Sequence, residues 1–204
     1  MFLCQHRTAV VLSVLVATLV PLHARTVSRQ SAEQFSKKLT LIQTRGDQQG
    51  TSAPQRTALT EDEVNSWFLY RGDRWRNAVP AGVRQPKVTL VGEGRLQAEA
   101  TVDLDTVGRR RSGRGALDPL SLIGGTVPVT VSGVLHTRDG MGRFEVESAE
   151  VSGIPVPATV LQELVGYYSR SAERPEGIRL DETYQLPARI QRVELGRGQA
   201  VVVQ

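Results

Sequence analysis

Between Arg95 and Asp105 the chain reads RLQAEATVDLD, and Leu96, Ala98, Ala100, Val102 and Leu104 alternate with polar residues without exception. Such period-two alternation predicts an antiparallel strand with one face on a core and one in water. VGEGR joins it to an earlier strand, PKVTLV, as a hairpin with Gly92 and Gly94 in the turn. A second hairpin is TVPVTVSGVLHT, RDGMG, RFEVESAEV, with Val127, Val129, Val131 and Leu135 facing Phe144 and Val146. The apolar phase slips between Val146 and Val151, which predicts a bulge near Ser148. The last hairpin is ARIQRVEL, GRG, QAVVVQ.

Three segments carry helical spacing instead. Ser31 with Gln34 forms a capping-box pattern, and Ala32, Phe35, Leu39 and Ile42 follow on one face, predicting a helix over 31–44. A polar stretch, RGDQQGTSAPQR, comes next. Thr60 then caps a second helix, with Glu63 completing a capping box and Leu59 and Val64 placed as a hydrophobic staple. Val64, Trp67 and Phe68 share a face of that helix, and Gly72 ends it. A third helix starts at Pro157, where proline suits the first turn. Leu161, Leu164, Val165 and Tyr168 make its stripe, widened by Val160 and Tyr167. That stripe is broader than one sheet contact uses, so the surplus meets a helix, a ligand or a bilayer.

The first residues, MFLCQHRTAVVLSVLVATLVPLHAR, have a short polar start, an apolar run from Thr8 to Leu22 and Ala24 before a cleavage point. This is the layout of a secretory signal peptide over residues 1–24, with retention as an N-terminal anchor as the alternative. Both place the rest outside the cytoplasm, periplasmic or secreted. Cys4 is the only cysteine, so a processed chain has no thiol and relies on core packing. The expected organisation is a leader at 1–24, an N-terminal helix and polar linker at 25–58, and an α+β domain at 59–204.

Composition adds little chemistry. The formal charge is +4 and mixed along the chain, with three lysines against 22 arginines. Arg109, Arg110, Arg111 and Arg114 cluster in VGRRRSGRGALDPLSLIGG, ahead of Leu117, Leu120, Leu122 and Ile123. Basic beside apolar residues fits an anionic lipid surface; a solvated loop whose apolar half caps the core is the alternative. The arginine run carries no aromatic platforms, so nucleic acid is not an expected partner. His136 is the one histidine beyond the leader, and it falls on the polar phase of its strand. No nucleophile elbow, Walker loop or Cys/His cluster is present. The expectation is a non-enzymatic protein without catalytic residues, metal or cofactor.

The order LTEDEVNSWF, glycine-bounded hairpins, VSGIPVPATVLQELV and LPARIQRVELGRGQAVVV resembles the LmeA-like and YpmS-type extracytoplasmic proteins, related to the tubular lipid-binding (TULIP) architecture. The resemblance covers about Leu59 to Val203 and rests on loose apolar, Gly and Pro patterns. It implies a long curved antiparallel sheet wrapping a helix around an apolar groove, and no catalytic residue. It points to the helices at Thr60 and Pro157 as groove walls.

The expected fold is therefore α+β: a curved antiparallel β-sheet with two or three helices packed on one face and an apolar groove between them. The expected function is binding of a lipid or lipid-linked cell-envelope component. Trp67, Phe68, Ala98, Ala100, Val160, Leu161, Leu164, Tyr167 and Tyr168 would line the groove. Arg109, Arg110, Arg111 and Arg114 would hold an anionic headgroup, with peripheral membrane contact. The alternative is an envelope assembly or scaffold protein that uses its apolar helix face for a protein partner. Ala98 and Ala100 opposite broad helices leave a dry cavity or let the helices pack close, and the sequence does not separate the two.

Overall fold

A computed structural model describes residues 27–48, 53–71, 79, 82–109, 125–169, 175–177 and 179–204. The leader, Gly72, Arg110, Arg111 and Arg114 lie outside the described residues, as do the side chains of Arg109, Leu164, Tyr167 and Tyr168. The elements run α1 (Arg29–Asp47), β1 (Arg56–Thr60), α2 (Glu61–Tyr70), β2 (Val83–Gly92), β3 (Arg95–Asp103), α3 (Leu104–Arg109), β4 (Thr126–Arg138), β5 (Met141–Val151), β6 (Ile154–Pro155), α4 (Ala158–Ser169), β7 (Tyr184–Gln185), β8 (Arg192–Gly196) and β9 (Gln199–Val203).

These strands form two sheets, and this overturns the single curved sheet expected from the sequence. One sheet has six strands on the path β2-β3-β4-β5-β6, with β7 also on β5; the other has three, in the order β1-β9-β8. Neither is curved or closed. The cause is β1. Its five residues, RTALT, pair along their full length with the closing strand, Arg56 opposite Val203 and Thr60 opposite Gln199. The final hairpin thereby completes a sheet of its own instead of extending the larger one.

The helices divide accordingly. α1 and α2 pack on each other, and both contact β1; α2 also lies on β2, and α4 packs on β5. Ala32, Phe35, Ile42, Leu59, Trp67 and Val202 form the buried cluster, so the core sits between α1, α2 and the small sheet. The expected arrangement of helices on one face of the large sheet is corrected to match.

Local signals explain most boundaries. α2 begins as read: Thr60 Oγ1 accepts the Glu63 N–H at 3.2 Å, and Glu63 Oε2 accepts the Thr60 N–H at 2.9 Å. Leu59 and Val64 meet in the core cluster, completing the staple. α1 starts three residues earlier than its apolar stripe suggests. Ser28, not Ser31, is the cap, and its Oγ accepts the Ser31 N–H at 3.1 Å. α3 takes Leu104 and Asp105 out of the expected strand. Asp103 Oδ1 accepts the Thr106 N–H at 2.9 Å, which turns the chain into a helix there.

Three hairpin turns use the same device, a left-handed non-glycine residue followed by glycine: Glu93-Gly94, Asp139-Gly140 and Ser152-Gly153. Positive φ at both positions matches the twist of the flanking strands. The bulge predicted near Ser148 is present. Ser132 pairs with Ser148 but Gly133 pairs with Val146, leaving Glu147 as the extra residue.

The small sheet is fastened across the hairpin end of the large one. Gly94 N–H donates to the Leu195 carbonyl at 3.2 Å, Gly198 N–H to the Leu90 carbonyl at 2.9 Å, and Gly140 N–H to the Gln191 carbonyl at 2.9 Å. Thr137 Oγ1 bridges both backbone groups of Val193, at 2.8 and 2.9 Å. The small sheet thus covers one end of the large sheet.

Candidate functional site

The acids and rings of α2 are structural joints. Glu61 and Glu63 are buried, and a buried carboxylate in a cleft is a usual sign of chemistry. Here Glu61 Oε2 accepts the Leu90 N–H at 2.8 Å, and Glu63 accepts Lys38 Nζ at 2.7 and 2.8 Å. Lys38 also donates to the Ala58 carbonyl at 2.7 Å, so one ammonium ties α1 to α2 and β1. Trp67 is 6 % exposed and lies 5.5 Å from Phe35, centroid to centroid, with the rings tilted. Phe68 is partly buried against the same cluster, 5.5 Å from Trp67. These two rings serve the core beside the small sheet.

The other expected lining residues are elsewhere. Ala98 and Ala100 lie in β3 of the large sheet, partly buried. Leu161 is buried and Val160 exposed, both on α4 against β5. The backbones of Leu164, Tyr167 and Tyr168 continue α4, and Arg109 ends α3. Trp67 and Phe68 therefore pack with α1, while Leu161 packs in a helix that sits on β5.

What the topology does bring together is an apolar sheet face. Ala98 lies between Val88 and Val131, Ala100 beside Val129, and Val102 between Val83 and Val127. Across the next strand pair, Val129 is opposite Val151 and Val131 opposite Ala149. Leu90 and Ala149 are buried, but Val88, Ala98, Ala100, Val102, Val127, Val129, Val131 and Val151 all keep intermediate exposure. The two alanines of β3 are only part of this surface. The partners in β2, β4 and β5 carry the same alternation, and only the register aligns them into one surface.

The opposite face is polar and cross-linked. Arg95 Nε donates to Glu147 at 3.1 Å, Ser132 and Ser148 hydroxyls are 2.6 Å apart, and His136 Nε2 lies 3.2 Å from Glu145. At the α3 end, Arg84 reaches Asp103 at 2.6 Å. The Thr106 N–H and hydroxyl, then the Arg84 guanidinium, hold the Asp103 carboxyl below its ordinary value.

A cleft of about 360 Å³ with a mixed polar and apolar lining opens between the two sheets, formed by Pro54, Thr137, Arg138, Asp139, Gln191, Arg192, Val203 and Gln204. Its cations are already engaged: Arg138 pairs with Asp139 at 3.3 Å and Arg192 with Glu194 at 2.8 Å. Among the described residues no group of three or more His, Cys, Asp or Glu is placed to hold a metal ion. No described helix is long and apolar enough to cross a membrane.

No family model matches the sequence, and neither curated proteins nor solved structures provide a match.

Proposed function

We propose that the protein binds a lipid or lipid-linked envelope component outside the cytoplasm, without catalysing a reaction, and that the ligand lies on the apolar face of the six-stranded sheet. The observation that carries this reading is the partly open patch around Ala98, Ala100, Val102, Val129 and Val131. A contiguous apolar surface on a protein of this size marks an interaction site. Its alanines keep the centre of the patch low, so a flat or chain-like ligand can approach the backbone closely. Six residue steps from Leu96 to Val102 give about 20 Å of strip at about 3.4 Å each. That exceeds the roughly 15 Å half-thickness of a bilayer's hydrocarbon core, so a lipid tail can lie along it extended. The apolar leader in the sequence and the resemblance to extracytoplasmic lipid-binding proteins point the same way.

Native mass spectrometry of protein purified from envelopes tests the reading. Wild type and Thr101→Asp, altered on the polar face, should carry lipid. Ala100→Asp, folded by circular dichroism, should not. Wild type without lipid, or Ala100→Asp with as much lipid as wild type, overturns it. Capture of a protein in place of lipid would favour the scaffold alternative.

A further inference from the structure

The starts of α1 and the end of α2 meet at one corner, where the Ser28 N–H donates to the fully buried Ser66 Oγ at 3.0 Å. Around this joint Val27, Leu69 and Tyr70 are exposed, Leu69 at 65 %. The Arg29 guanidinium lies 5.2 Å from the Tyr70 ring centroid. Stacked this way a guanidinium gains from the ring and keeps its N–H donors free for phosphate. The first turn of α1 carries no acid, Glu33 being one turn on, and Arg71 caps α2. Apolar tips, a tyrosine and arginines at one place are what a bilayer interface selects.

The chain fixes what this corner faces. The apolar run from Thr8 to Leu22 precedes it, and only five residue steps separate Leu22 from Val27. Even fully extended they reach about 17 Å. While that run is in a bilayer, before processing or as a retained anchor, Val27 cannot be farther from the headgroups than this. We infer that the corner formed by Val27, Arg29, Leu69 and Tyr70 is a membrane-contact face, seated among anionic phospholipid headgroups with Leu69 inserted and Arg29 on phosphate. The inference is independent of the ligand proposed for the sheet face.

The full chain in a Cys4→Ser background, reconstituted in phosphatidylcholine vesicles with or without phosphatidylglycerol, tests it. An environment-sensitive fluorophore is attached at Leu69→Cys or, as the control, at Ile154→Cys on β6, where the native side chain is 68 % exposed. The Leu69 label should shift to the blue and be quenched by headgroup nitroxides several-fold more than the Ile154 label. Adding Arg29→Glu should reduce that quenching, most in vesicles containing phosphatidylglycerol. A Leu69 label that stays water-like, or equal quenching at both positions, overturns the inference.

Discussion

Asn65 holds Val88 by both of its backbone groups: Nδ2 donates to the Val88 carbonyl and Oδ1 accepts the Val88 N–H, each at 2.8 Å. β2 is an edge strand, and an unpaired edge invites pairing with other chains. A carboxamide on α2 here stands in for the missing strand, and Glu61 does the same for the Leu90 N–H. Asn65→Ala removes both bonds. It should lower stability by about 1–3 kcal/mol and raise aggregation, read by urea denaturation and light scattering. An unchanged denaturation midpoint would mean that α2 is not what closes this edge.

The two faces of the large sheet give a graded series. Leu90 is 4 % exposed, Val102 is half-buried on the same face, and Thr101 lies on the opposite face beside Arg84. Leu90→Asp buries an unpaired charge and should cost several kcal/mol, roughly 3 or more. Val102→Asp should cost less because water reaches its site, and Thr101→Asp should be close to neutral. Thermal melts of the three variants check the order. Equal losses for Val102→Asp and Thr101→Asp would refute the assignment of faces.

Strand and turn positions were legible because they are local. The unbroken alternation from Leu96 to Val102, the Asp139-Gly140 turn and the Thr60–Glu63 box each need only a few neighbouring residues. The division into two sheets was not, because it depends on β1 finding β9 across most of the chain. RTALT is short and follows a polar linker, so its two buried residues, Thr57 and Leu59, give no visible period. The ring cluster was legible as an amphipathic helix face, but its partner was not: nothing near Trp67 in sequence indicates that Phe35 covers it. The sheet face showed itself strand by strand, and the register that joins Ala100 to Val129 and Val151 came only with the fold.

Gly133 sits at the β4–β5 bulge, where a Cβ would meet the Glu145 carbonyl oxygen at 2.1 Å and the Phe144 ring at 2.8 Å. Backbone cannot yield that much, so Gly133→Ala should destabilise by about 3 kcal/mol or more, beyond ordinary overpacking. Gly196→Ala is the control, since its Cβ would meet only the Gln199 oxygen at an ordinary 3.5 Å. Denaturant midpoints that fall equally in the two variants would show that the bulge tolerates a side chain.

Glu194 links the outer strands of the small sheet, with Arg56 Nη2 at 2.5 Å and Arg192 Nε at 2.8 Å. Hydrogen bonds from Arg56 and then Arg192 push its pKa down to about 2. A depressed folded-state value means the unfolded chain binds the proton more readily. The stabilisation is therefore present above the ordinary carboxyl value of 4.5 and is lost as pH falls towards 2. The site is exposed, so salt should weaken the effect. Melting temperatures of wild type and Glu194→Gln should differ most near neutral pH and converge at the acid end. A gap that is constant across this range would assign the effect to packing rather than charge.

The last test separates core from ligand surface. Trp67 packs on Phe35 within the buried cluster, while Ala100 lies on the partly open face of the large sheet. If the two positions have these separate roles, their variants should fail in different ways. Trp67→Ala empties a large buried volume and should cost about 3–5 kcal/mol; Trp67→Phe keeps a ring against Phe35 and should cost much less. Neither change touches the sheet face, so folded Trp67→Phe should carry as much lipid as wild type. Ala100→Asp should keep most of its stability, because its site is not fully buried, and should lose the lipid. Stability from denaturation and lipid content from native mass spectrometry, measured on the same preparations, give the comparison. A stable Trp67→Phe variant that loses its lipid would put the rings of α2 in the ligand surface and not in the core alone.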